Sequence, residues 1–154
     1  LKYRTFASKP VLDIRTWSCD KENLGPNGHS VLSALVFCAP ETCDQGWTEQ
    51  SKNSFKDAAI DVLESHCPDV RASICASELL TPEDLANNHY LTGGHLYHGE
   101  QVVDQLLFMR PSVDCSQYST PVHGLYLCGS GSHPGGGLTL APGWLAANQY
   151  LKNG

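Results

Sequence analysis

The stretch from Leu125 to Gly137, Leu-Tyr-Leu-Cys-Gly-Ser-Gly-Ser-His-Pro-Gly-Gly-Gly, constrains this chain more than any other. A short apolar run is followed by five glycines within nine positions, which neither a regular strand nor a regular helix accommodates. The pattern predicts a buried strand over Leu125–Cys128, a glycine-rich loop, and a last helix from about Gly143 to Lys152. Glycines let a backbone approach a ligand closely, and a helix N-terminus offers amide donors suited to phosphate or to the edge of a cofactor ring. A tight turn with no ligand is the competing reading.

Elsewhere the elements are short. Val11 to Ile14 and His29 to Phe37 read as strands, separated by a turn-rich stretch from Lys21 to Gly28. Phe55, Ala58, Ala59, Val62, Leu63 and His66 recur at helical spacing between Ser51 and His66, and Pro68 stops that helix. Val70 to Cys75 reads as a further strand. Thr81 is placed as an N-cap, with Pro82 at the first helical position, Asp84 to complete a capping box, and Leu80 and Leu85 as a hydrophobic staple. No repeat or linker interrupts the chain. The expectation is one domain over 1–154, of α+β class, with a mixed sheet and flanking helices.

Charge and cysteine usage narrow the function classes. Ten basic and sixteen acidic residues give a net charge of −6, and no Lys/Arg cluster forms a basic face. Nucleic acid and anionic membrane surfaces are therefore not expected partners. No apolar run approaches the ~18 residues that a membrane span needs. The only methionine is Met109, so Leu1 is expected to follow processing or truncation. Cys19, Cys38, Cys43, Cys67, Cys75, Cys115 and Cys128 are scattered without a C-x-x-C pair, a usage that points to a disulfide framework and a secreted, extracellular protein.

Beyond these local signals, a series of motifs resembles the C-terminal part of phytoene-dehydrogenase-like flavin oxidoreductases, in the wider amine-oxidase and carotenoid-desaturase group. It runs through Thr92-Gly93-Gly94-His95, Leu106 to Pro111, Tyr118 to Gly124 and the glycine-rich segment itself. Gly25-Pro26-Asn27-Gly28-His29, Trp47 and Thr81 to Leu85 extend the similarity over nearly the whole chain. The resemblance implies part of a substrate-domain sheet plus the closing strand, loop and helix of an FAD domain. It places Gly129, Ser130, His133, Gly135, Gly136 and Gly137 in the loop beside the flavin.

The chain departs from that pattern in three ways. It has no G-x-G-x-x-G run, so the unit that grips the FAD pyrophosphate is missing. Leu140 stands where the resemblance implies a glycine, and Leu145 where it implies an asparagine. The isolated chain is therefore expected to hold no cofactor, and FAD only if paired with an N-terminal dinucleotide-binding flavoprotein chain. Cys128 alone matches the family's cysteine, which implies a free thiol in a buried strand. The other six would form three disulfides of open connectivity.

The remaining candidates carry less. His95 and His98 share an H-x-x-H spacing, but Gly93, Gly94 and Gly99 argue for a loop, and two imidazoles cannot close a metal site without a third ligand. Ser130 and Ser132 lack the G-x-S-x-G spacing of a hydrolase nucleophile. Arg110, before Pro111, is expected to hold a structural hydrogen bond. Two readings follow. One is a secreted, disulfide-stabilised, non-catalytic structural or pigment-binding protein derived from such an enzyme. The other is the C-terminal chain of an FAD-dependent oxidoreductase. Loss of a covering unit would expose Leu138, Leu140, Trp144, Leu145 and Leu151, which a homodimer is expected to bury.

Overall fold

The computed structural model describes residues 4–16, 28–99, 102–137 and 139–153, together with the backbone of 18–19 and 22–23. The class is α+β. Four strands, β1 (Leu12–Thr16), β2 (Ser18–Cys19), β3 (Glu22–Asn23) and β4 (Leu32–Val36), precede four helices. These are α1 (Glu49–His66), α2 (Val70–Ser73), α3 (Pro82–His89) and α4 (Ala141–Asn153). The chain gathers into two compact units, 1–83 and 84–154, with the boundary inside α3.

In the first unit β1 pairs antiparallel with β4, from Leu12 opposite Val36 to Thr16 opposite Leu32. β2 and β3 pair antiparallel as a second two-stranded sheet. Most of the turn-rich stretch at 21–28 lies outside the described residues. The core is small and aromatic: Phe55 from α1, with Trp47 and Cys43, packed against Phe6, Val36, Ala39 and Leu79. The Phe6 and Phe55 rings lie 4.9 Å apart and those of Trp47 and Phe55 5.5 Å apart, within the range of favourable aromatic pairing. Trp47 satisfies its indole by donating Nε1–H to the Pro40 carbonyl at 3.2 Å.

α1 begins where Thr48 accepts from the Ser51 amide at 3.2 Å, and it closes where the Cys67 amide donates to Leu63 O. Of its apolar stripe, only Phe55 is buried. The strand expected at Val70 to Cys75 is a single helical turn instead. Glu64 accounts for this. Its carboxylate accepts from the amides of Asp69 at 3.0 Å and Arg71 at 2.7 Å, satisfying donors that a strand would need for a ladder. Arg71 also pairs with Asp57 and Asp61 on α1, and the first of these hydrogen bonds is the main cause raising its pKa.

α3 starts at Pro82 as expected, and Thr81 is fully buried. The second unit then proceeds by 3-10 turns at Thr92–Gly94, Val103–Gln105, Leu107–Met109 and Val113–Cys115 until α4. Its buried residues include Arg110, Ser116, Tyr118, Ser132 and Ala146, mostly polar or capable of hydrogen bonding. Large apolar side chains stand in water instead, with Val103 at 87%, Leu107 at 63% and Phe108 at 62% exposure.

Candidate functional site

The predicted strand over Leu125–Cys128 is reduced to one antiparallel bridge, Ser119 opposite Tyr126. Leu127 donates its amide to Tyr118 O at 2.7 Å, and Thr120 donates to Leu125 O at 3.2 Å. These bonds join it only to the short 118–120 segment, and no strand extends a ladder beyond the bridge among the described residues. Leu125 is accordingly half exposed, and Cys128 is exposed rather than buried. The glycine loop follows as two successive turns, with Ser132 N–H on Gly129 O at 2.9 Å and Gly135 N–H on Ser132 O at 2.8 Å. Gly135 and Gly137 both have φ of 105°, where only glycine is unstrained.

Neighbouring residues hold this loop from beneath. The Tyr97 ring lies directly against Gly136, so a β-carbon there would overlap Tyr97 Cβ, Cγ and Cδ1. At Gly131 a β-carbon would meet His98 Cβ at 3.7 Å. The close approach that glycine permits at 136 is therefore to Tyr97, a contact that spacing in the sequence could not show. Arg110 fixes the Tyr97 segment in turn. It is 1% exposed and donates from one terminal nitrogen to Tyr97 O at 2.7 Å and Gly99 O at 3.5 Å, the structural role expected of it. Buried Tyr118 donates its hydroxyl to His133 O at 3.2 Å, and desolvation raises its pKa.

Above the loop is a cavity of about 250 Å³ lined by Cys128, Ser130, Gly137, Leu140, Pro142 and Gly143. Ser130 and Gly137 are thus the two expected flavin-loop residues that line it. Gly129 adjoins it in sequence with open space at its α-carbon, Gly135 is buried, Gly136 lies under Tyr97, and His133 is held through its carbonyl. Leu140 has φ of 59°, a left-handed conformation that suits glycine, and its side chain is 84% exposed.

The lining decides what the cavity fits. Its walls are largely apolar, and among the described residues no Lys or Arg lines it. At the start of α4, Ala141 N–H is engaged by Thr139 Oγ1 at 3.3 Å and Pro142 has no N–H, so this helix terminus is short of the free donors a phosphate needs. The cavity falls below the ~300–1,000 Å³ of a typical ligand pocket. These residues do not fit the pyrophosphate of FAD.

The other expected residues are placed as follows. His98 N–H donates to His95 O at 3.0 Å in a turn, and His95 Nδ1 accepts from the Tyr97 amide at 3.2 Å. No group of three His, Cys, Asp or Glu that could hold a metal occurs among the described residues. The three-disulfide framework is corrected: Cys38, Cys43, Cys67, Cys75, Cys115 and Cys128 are free thiols, and the Cys19 side chain lies outside the described residues. Cys43 is occupied instead as a small apolar member of the aromatic core. Leu140, Trp144 and Leu151 are exposed as expected, at 84%, 68% and 73%, whereas Leu145 is half-buried. Leu138 lies outside the described residues.

The chain is similar to known oxidoreductases over almost its whole length. It is 41% identical over 149 residues to the pyridine nucleotide-disulfide oxidoreductase domain-containing protein 2 of Mus musculus, covering 96% of this chain and 26% of that protein. It is 44% identical over 60 residues to a limonene dehydrogenase chain of Castellaniella defragrans, covering 39% of this chain and 11% of that protein. Against the 4,4'-diapophytoene desaturase of a Methylomonas species the identity is 25% over 127 residues, 81% of this chain and 24% of that protein. No family model and no solved structure matches it. The chain is related to a region of these oxidoreductases, and it spans about a quarter of the length of the mouse relative.

Proposed function

We propose that this chain is the ring-facing part of an FAD-dependent, phytoene-dehydrogenase-like oxidoreductase. The observation that carries the reading is the 41% identity over 149 of its 154 residues, a span that takes in the glycine loop. In this reading the loop and the start of α4 border one edge of the flavin, with Ser130, Gly137 and Gly143 as the nearest backbone. Arg110 and Tyr97 act as positioning residues that fix the loop beneath it. FAD, when bound, supplies the electron-transfer chemistry, and the grip on its pyrophosphate comes from a dinucleotide-binding unit outside these residues.

The exposed side chains Leu140, Trp144 and Leu151 belong, in the same reading, to the face that this unit covers, in place of a second copy of the chain. The alternative of a secreted, non-catalytic domain leaned on three disulfides, and the free thiols leave it without that framework. The test is flavin retention. Joined to the G-x-G-x-x-G-bearing unit of its longer polypeptide, the chain is expected to purify with a flavin absorption spectrum, and alone to leave added FAD fluorescence unchanged. A joined protein that folds but carries and takes up no flavin would overturn the proposal.

A further inference from the structure

One residue holds the cavity-lining segment of the glycine loop at both ends. Tyr118 accepts the Leu127 amide on its carbonyl at 2.7 Å, and its hydroxyl donates to His133 O at 3.2 Å. Between these two points lie residues 128–132, and Cys128 and Ser130 of that segment line the cavity. The span from Leu127 to His133 is therefore tied to the covalent frame of a single tyrosine. Tyr97 meets the loop at Gly136, beyond this segment. Tyr118 is 6% exposed, so water competes little with His133 O for the phenol. Its φ is 69°, a left-handed conformation unfavourable for a residue with a β-carbon. Such strain persists where surrounding contacts over-determine the backbone, and it concentrates beside functional sites. Here the buried ring, the two bonds to the loop and the Tyr118 amide on Cys115 O at 3.1 Å supply those contacts.

We propose that Tyr118 is a positioning residue of the cavity. It sets where the wall carrying Cys128 and Ser130 stands against the opposite lining of Leu140, Pro142 and Gly143, and through that wall the affinity for flavin. The inference rests on the flavin reading of the loop given above. Tyr118 touches the loop from beneath and acts only through it. Without the phenolic bond the His133 end of the segment is released, while the Leu127 end stays held by the backbone bond. The wall then loosens from its C-terminal side.

Tyr118→Phe keeps the buried ring and deletes only the donor, so the fold is retained while the bond is lost. The protein used is the chain joined to the G-x-G-x-x-G-bearing unit of its longer polypeptide. In its flavin-free form, exchange of the Ser132 amide, bonded to Gly129 O inside the segment, should quicken about fivefold, the effect of one ordinary hydrogen bond. The Leu127 amide should keep its protection. The Kd for FAD, read from flavin fluorescence released on dilution, should rise by about fivefold as well. Phe55→Leu controls for destabilisation alone: it weakens the aromatic core and should leave that Kd unchanged. A native joined protein that takes up no flavin defeats the flavin reading, and this inference with it. If the native protein binds FAD, three results overturn the role of Tyr118 alone. These are a Ser132 exchange rate unmoved by Tyr118→Phe, a Kd unmoved by it, or an equal weakening by Phe55→Leu.

Discussion

The two units are held by different physics. The first has an apolar centre in which Phe55 is 2% exposed and three aromatic rings, Phe6, Trp47 and Phe55, meet within 6.0 Å of one another. The second is organised around hydrogen bonds: Arg110 on the carbonyls of Tyr97 and Gly99, and Tyr118 on the carbonyl of His133. Its apolar side chains largely face outward, with Trp144 at 68% and Leu151 at 73% exposure. Burial of apolar area is the main driving force of folding, and the second unit draws less on it than the first. The glycine loop lies in that second unit.

The contrast is broken most severely at Phe55. Replacing it with Ala removes the centre of the aromatic cluster and is expected to cost about 3–5 kcal/mol, the range for deleting a buried aromatic ring. Hydrogen exchange should report it, with amides of α1 and β4 losing protection. Equal loss of protection at the glycine loop would show that the two units share one cooperative core and would defeat the comparison.

Gly136→Ala applies the corresponding test to the second unit. The added methyl would overlap the Tyr97 ring, and Tyr97 is held by its carbonyl to Arg110, so the ring cannot simply turn away without disturbing that bond. Overpacking of this kind costs about 1–3 kcal/mol. Loss of protection is expected in residues 95–99 and 129–137, with α1 unchanged.

What is legible in the sequence follows the same division. The helix over α1, its Pro68 stop, the α3 start at Pro82 and the α4 helix are all readable because each is written in local spacing and capping residues. Val70 to Ser73 misleads because Glu64, five to seven residues upstream, decides where the backbone donors go. Leu125 to Cys128 misleads because a strand exists only if a neighbour pairs with it, and sequence does not show the neighbour. At the site, the loop is visible from its glycines, while its supports, Tyr97 beneath Gly136 and Tyr118 at His133, come from distant segments without a motif.

A smaller effect is expected at Tyr118, and pH separates it from plain packing. Desolvation raises its pKa above the usual value near 10, so the folded chain holds the phenolic proton when the unfolded chain has released it. Above pH ~10 the unfolded state therefore binds fewer protons than the folded state, and stability falls as pH rises toward the folded pKa. Tyr118→Phe abolishes this alkaline loss and costs about 1 kcal/mol at neutral pH through the missing bond to His133 O. Urea unfolding at neutral and alkaline pH reads both, and an unchanged alkaline slope in the variant would remove Tyr118 as its source.

The smallest change should be stabilising. Leu140 precedes α4 with φ of 59°, and its side chain, 84% exposed, contributes little packing to set against the strain of that conformation. A left-handed backbone costs a residue with a β-carbon about 1–2 kcal/mol, and glycine adopts it freely, although glycine loses more entropy on folding. The balance predicts that Leu140→Gly raises the stability of the second unit by about 0.5–1 kcal/mol and leaves the first unchanged. Urea unfolding of the variant beside the native chain reads the difference. If the joined, flavin-carrying protein is instead destabilised by the substitution, Leu140 is making contacts there that the isolated chain does not supply. The exposed leucine would then be an interface residue for which backbone strain is tolerated.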